Sequence, residues 1–231
     1  MTTTTPPTGL PTTAAAPTDP NWQAQAACGS LDNDDFYDEG PDLVRRARAR
    51  CHQCPVLASC LQQALRLEGM AGYTWGVAGG LTADQRRALR CHILLGDAPD
   101  MKVAREITSL RWRHVLYPLR YEGASPSEMA VFLNTEFGFA ASPATVRLAV
   151  WWLGGKAPVM ACRGDGDRRW DWQWVRDECG DVVERLQKAG ASRTDIGAYL
   201  GVSRNSVQRA EEDRMRRERA AGTTVEEVRA A

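Results

Sequence analysis

The sequence predicts an all-α chain: a small four-cysteine helical domain followed by two helix-turn-helix-like units. Three observations carry this expectation. Helix-length stretches are bracketed by Ser or Pro at their starts and Gly at their ends, with no alternating strand pattern between them. Four cysteines, Cys28, Cys51, Cys54 and Cys60, fall in the pattern C-x22-C-x2-C-x5-C. Beyond residue 95 a segment repeats itself at a constant offset of 67 residues.

The elements follow in chain order. Residues 1–20, rich in Thr and Pro, read as a disordered tail. Residues 21–95 form the first domain. In it, Pro41 after Gly40 opens a helix running to Cys51. Pro55 opens a second helix, closed by Gly69, which places Cys54 at a helix N-terminus. A glycine-rich turn, Gly76-Val77-Ala78-Gly79-Gly80-Leu81-Thr82, precedes a charged helix over Ala83–Arg90. Residues 96–160 and 161–220 hold the two repeat units, and 221–231 a fraying tail.

Three of the four cysteines sit in RCHQCPVLASC, too short for a comfortable disulfide framework but easily wrapped around a metal centre. An iron–sulfur cluster needs four thiolates converging on one small cuboid, some from a compact loop and one from a distant segment. A four-thiolate zinc site is the competing reading, although zinc folds usually bring two C-x2-C pairs and only one is present. Cys91, Cys162 and Cys179 stand outside the pattern and are expected to behave as small buried hydrophobes. His52, between two of the cysteines, is expected to point outward. Arg45, Arg46, Arg48 and Arg50 either offset cluster charge or form a solvated helix face.

The order Trp22-x5-Cys28, Phe36-Tyr37, Cys51-x2-Cys54-x5-Cys60, the glycine turn ending in Leu81-Thr82, then a basic helix resembles the WhiB-like iron–sulfur transcriptional regulators. The resemblance covers residues 21–91. It implies a [4Fe–4S] cluster on Cys28, Cys51, Cys54 and Cys60, and docking on the C-terminal region of the principal sigma factor of RNA polymerase. Trp75, Gly79 and Gly80 are the sigma-binding candidates it suggests. In such proteins the glycine turn commonly holds a tryptophan where Ala78 stands here. Trp75 is then a substitute anchor for that interface or a core plug.

In the repeat, Gly123–Leu133 aligns with Gly190–Leu200. Each copy predicts a Ser-capped helix with a small residue at the crossing (Ala130, Gly197), a core leucine at its end, and a second helix with Val146 or Val207 facing inward. The intervening turn is six residues longer in the first copy. In the second copy Arg204, Asn205, Ser206, Gln208 and Arg209 are of the types that contact phosphates and base edges in a major groove, implying promoter DNA as a partner. The first copy's second helix is apolar after Arg147, so its Trp151 and Trp152 are expected to be buried in a partner or in the adjoining domain. Trp170, Trp172 and Trp174 are expected to pack between the copies.

Composition bounds the rest. The 231 residues carry zero formal net charge, which neither requires nor excludes a nucleic-acid partner. Seven cysteines, the absence of a secretory signal and of an apolar run long enough to span a bilayer point to a reducing cytoplasm and no membrane partner. The expectation is a non-enzymatic transcriptional regulator. The alternative is a thiol–disulfide reductase using Cys51 and Cys54 in a cluster-free form, without thioredoxin-type surroundings.

Overall fold

The computed structural model describes residues 21–29, 34–37, 40–154 and 170–230, with side chains through Ala220. All regular structure among the described residues is helical, and Ala78 and Leu81 form an isolated bridge. The first segment contains a 3-10 turn at Trp22–Gln25, then α1 (Asp34–Tyr37), α2 (Pro41–His52), α3 (Leu57–Ala71) and α4 (Ala83–Leu94). Pro41 occupies the first turn of α2 as expected. Gly69 does not close α3: the helix runs on to Ala71, and Gly72, at φ 73°, supplies the left-handed cap. Glycine inside a helix costs only about 1 kcal/mol relative to alanine, which the buried face of Leu57, Leu61 and Leu65 offsets. α3 begins at Leu57, so Cys54 stands in the turn before the helix.

The second segment contains α5 (Met101–Ile107), α6 (Leu110–Tyr121), α7 (Pro126–Phe137) and α8 (Pro143–Trp152). The third contains α9 (Asp171–Glu178), α10 (Gly180–Lys188), α11 (Arg193–Leu200) and α12 (Arg204–Ala230). The repeat is plain in the local chemistry. α7 starts with a capping box between Ser125 and Glu128, and α11 with the same box between Ser192 and Asp195. Leu133, Leu200, Val146 and Val207 are all buried. Gly197 is required where the helices cross, because an added Cβ would stand 2.8 Å from the Val202 carbonyl oxygen. Much of the longer first-copy connection is one extra helical turn: α7 continues past Leu133 to Phe137 before Gly138 ends it.

The two copies are used differently. In α8 every residue from Ala144 to Trp152 is buried, and the helix packs on α5 and α7 and touches α4. α12 instead lies on α9 and α11 and continues through Ala230, where the sequence suggested fraying after residue 220. The tryptophan strip does not pack as one unit. Trp170 is exposed, Trp174 is buried, and Trp172 lies under the guanidinium groups of Arg176 and Arg209, 5.4 and 4.9 Å from its ring centre.

One apolar core runs through all three segments, from Leu57 on α3 to Ala210 on α12. α4 is the bridge, packing along α11, and Arg90 on α4 is paired with Asp195 on α11 at 2.5 Å. Cys91 and Cys179 are buried in this core as expected, whereas Cys162 lies outside the described residues.

The most heavily bonded side chain in this bridge is Arg86, fully buried on α4. Its guanidinium donates to Glu68 on α3 (2.8 Å) and to the carbonyls of Trp75 (2.6 Å), Gly76 (3.0 Å) and Leu81 (2.7 Å). Both ends of the glycine turn are thereby tied to one planar cation, whose donors are all directed at fixed acceptors. Arg86→Met keeps the aliphatic bulk but strands Glu68 and three carbonyls. We expect a loss of about 3–5 kcal/mol in denaturant unfolding of the variant; a loss under about 1 kcal/mol would mean water replaces the guanidinium.

Candidate metal centre

Cys28, Cys51, Cys54 and Cys60 line one cavity of about 270 Å³, together with Trp22, Arg50, Leu57 and Gly79. Three separate pieces of chain deliver them: the loop after the 3-10 turn carries Cys28, the last turn of α2 carries Cys51, and the α2–α3 link and first turn of α3 carry Cys54 and Cys60. Cys54 is buried, Cys51 and Cys60 are half-buried, and Cys28 is exposed at the rim. The loop holding Cys28 is stapled to the others. The Ala27 amide donates to the Cys54 sulfur at 3.4 Å, and Arg50 Nε donates to the Ala27 carbonyl at 2.8 Å.

The glycine turn closes the other side. Gly79 lines the cavity beside the cysteines, its backbone toward Cys60 and that of Gly80 toward Cys51. Close approach is possible only without a side chain: at Gly79, with φ +56°, an added Cβ would stand 2.4 Å from the Leu61 Cβ and 2.6 Å from its Cα. Burial still dominates the thiols. It pushes Cys51 up to about 11 and raises Cys60, with the backbone of Gly80 and Gly79 acting in the opposite sense.

The four thiols therefore surround a space and do not meet at a point. Among the described residues no three His, Cys, Asp or Glu side chains stand close enough to hold a single metal ion. Four cysteine thiols lining one cavity supply the number and type of donor that an iron–sulfur group takes. His52 does not line the cavity; it is half-buried, with its pKa lowered by burial and by Arg48 and Arg105. Of the four arginines on α2, Arg50 reaches the cavity and Arg48 the glycine turn, while Arg45 is exposed against Asp42 and Arg46 is exposed.

The carbonyl edges of the glycine turn are held by Trp152 of the second segment and by Arg48 of α2. Trp152 Nε1 donates to the Gly79 carbonyl at 2.9 Å. Arg48 donates to the Gly80 carbonyl at 3.1 Å and to the Trp151 carbonyl at 2.7 Å. Gly79 and Gly80, named from the sequence as sigma contacts, are consequently buried, whereas Trp75 is 63% exposed. Trp152, Arg48 and Arg86 were not singled out for this role by sequence. The run of tryptophans after Arg147 signalled burial, but nothing local assigned its partner.

The residues chosen for DNA contact are gathered on one helix start but are not equally available. Arg204 and Asn205 are exposed, with no side-chain partner among the described residues. Ser206 is hydrogen-bonded to Ser203 at 2.9 Å, Gln208 donates to Glu212 at 2.8 Å, and Arg209 stacks on Trp172.

Comparison with known proteins places the first segment. A family profile described as "Transcription factor WhiB" matches residues 22–89. The transcriptional regulator WhiB1 of Mycobacterium tuberculosis is 37% identical over 75 residues, covering 30% of this chain and 84% of that protein. The redox- and pH-responsive transcriptional regulator WhiB3 of the same organism is 33% identical over 76 residues, 30% of this chain and 71% of that protein. WhiB4 of Mycobacterium marinum is 38% identical over 69 residues, 30% of this chain and 55% of that protein. No solved structure matches the chain. With its four cysteines around one cavity and most of WhiB1 covered by its first segment, the chain belongs to the WhiB family of transcriptional regulators.

Proposed function

We propose that this chain regulates transcription through a [4Fe–4S] cluster held by Cys28, Cys51, Cys54 and Cys60, docking on the principal sigma factor and contacting promoter DNA through α12. The observation that carries the cluster reading is the delivery of all four cysteines, from three pieces of chain, to one cavity. When bound, the cluster supplies a redox-active centre; the name of the relative WhiB3 describes that protein as redox- and pH-responsive. The protein's part is to supply thiolates, to close the cavity with the glycine turn at Gly79, and to set Arg50 beside them. Reductase chemistry finds less support, since it wants an attacking thiol with a lowered pKa and Cys51 is pushed up to about 11.

Sigma docking, on this reading, centres on Trp75, exposed beside Tyr73 at the end of the α3–turn region. A rigid exposed aromatic is the kind of side chain that dominates interface energy. For DNA, Arg204 and Asn205 at the start of α12 are the free groups, while Ser206, Gln208 and Arg209 require their present partners to be released or shared. DNA affinity from so few contacts is modest, and attachment to sigma raises the local concentration that makes it sufficient. No helix among the described residues is long and apolar enough to cross a membrane.

Anaerobically purified full-length protein is expected to show brown visible absorbance, and Cys28→Ser to lose both the absorbance and the bound iron; a full iron complement in Cys28→Ser would sink the four-ligand assignment. In co-purification with the C-terminal region of sigma, Trp75→Ala is expected to weaken binding by about 2 kcal/mol or more. Arg204→Ala and Asn205→Ala, footprinted on promoter DNA with sigma-bearing polymerase, are each expected to lose about 1–3 kcal/mol of discrimination. Footprints identical to wild type would make α11 and α12 a structural unit only.

A further inference from the structure

The grip on the Gly79–Gly80 turn comes from two directions, and the second is supplied by a distant part of the chain. Trp152 is buried at the end of α8, its indole N–H bonded to the Gly79 carbonyl at 2.9 Å. Its ring also covers Gly80, where an added Cβ would stand 3.3 Å from Cδ1 and 3.4 Å from Nε1. The carbonyl of the preceding residue, Trp151, shares the Arg48 guanidinium with the Gly80 carbonyl. Gly79 lines the same cavity as Cys51 and Cys60, so the turn these bonds hold is one wall of the thiol site. The turn is thus held between the cysteine cavity and the end of α8. Ala78 offers no aromatic from within the turn, and the indole that packs on it arrives from α8.

We propose that Trp152 is a positioning residue for the cysteine cavity, fixing the glycine turn over Cys51 and Cys60 so that the C-terminal half of the chain controls access to these thiols and retention of what they bind. Its meaning for metal retention rests on the proposed cluster; the clamp itself consists of contacts within the chain. The coupling is reciprocal by linkage: a group that ties Cys51 and Cys60 down also favours the docked position of α8.

Peptide-resolved alkylation of the full-length, iron-free, reduced protein with iodoacetamide tests the clamp. Trp152→Phe keeps the aromatic bulk and removes only the donor. It is expected to speed alkylation of Cys51 and Cys60 roughly tenfold, the effect of losing one buried hydrogen bond from the closed turn, while the already exposed Cys28 keeps its rate. Arg48→Gln is expected to move the same two thiols in the same direction. Trp112→Phe is the control, since Trp112 is a buried tryptophan in the second segment whose indole N–H has no hydrogen-bond partner among the described residues; it should leave all three rates at wild type. Wild-type rates in Trp152→Phe would overturn the proposal, as would an equal rise at every thiol in both tryptophan variants, which signals general loosening. A second arm measures iron release from the loaded protein to a chelator, expected to quicken in Trp152→Phe and not in Trp112→Phe. If the wild type takes up no iron, the metal reading fails, and the alkylation ratios still decide the role of Trp152.

Discussion

Two consecutive glycines, Gly79 and Gly80, have their carbonyls held by side chains from distant parts of the sequence, and their turn closes one side of the cysteine cavity. The Gly79 carbonyl accepts from Trp152 and the Gly80 carbonyl from Arg48. Arg86 fixes the chain on either side by binding the Trp75, Gly76 and Leu81 carbonyls. A polar backbone segment this deeply buried is tolerable only when each group finds a partner. Here the same bonds that satisfy the backbone also hold the turn as a wall of the cysteine cavity.

The residues beyond the WhiB-like segment are therefore integral to it. α8 contributes to the wall behind the glycine turn, and α11 packs along α4 with Arg90 paired to Asp195. The internal repeat supplies both helices from one pattern and gives them different tasks. In the first copy the second helix is buried on all sides and Arg147 is enclosed near Trp151 and Tyr199. In the second copy the equivalent helix keeps a polar, largely exposed start at Arg204 and Asn205. Sequence divergence after the shared Ser cap, from an apolar run in one copy to Arg-Asn-Ser in the other, accounts for that split.

Much of this was legible in the sequence because its causes are local. The serine caps of α7 and α11 and the small residues Ala130 and Gly197 are all signals within a few residues of the feature they produce. The four cysteines were legible as a set because their spacing and flanks agree. What was not legible depends on pairs far apart in the chain. Nothing near Trp152 announces a bond to Gly79, and Arg86 is one arginine among several in a charged helix until α3 and the turn enclose it. Gly69 misled because a glycine near a helix end resembles a cap, yet the buried leucines of α3 hold the helix together for two more residues.

The central claim is that the four cysteines hold one iron–sulfur cluster within a single folded unit. Native mass spectrometry of the full-length protein, purified without oxygen, measures this directly. The account predicts a folded species heavier than the bare chain by the mass of four iron and four sulfide. A species carrying a single zinc ion, or a folded metal-free chain that refuses iron and sulfide on reconstitution, would contradict it.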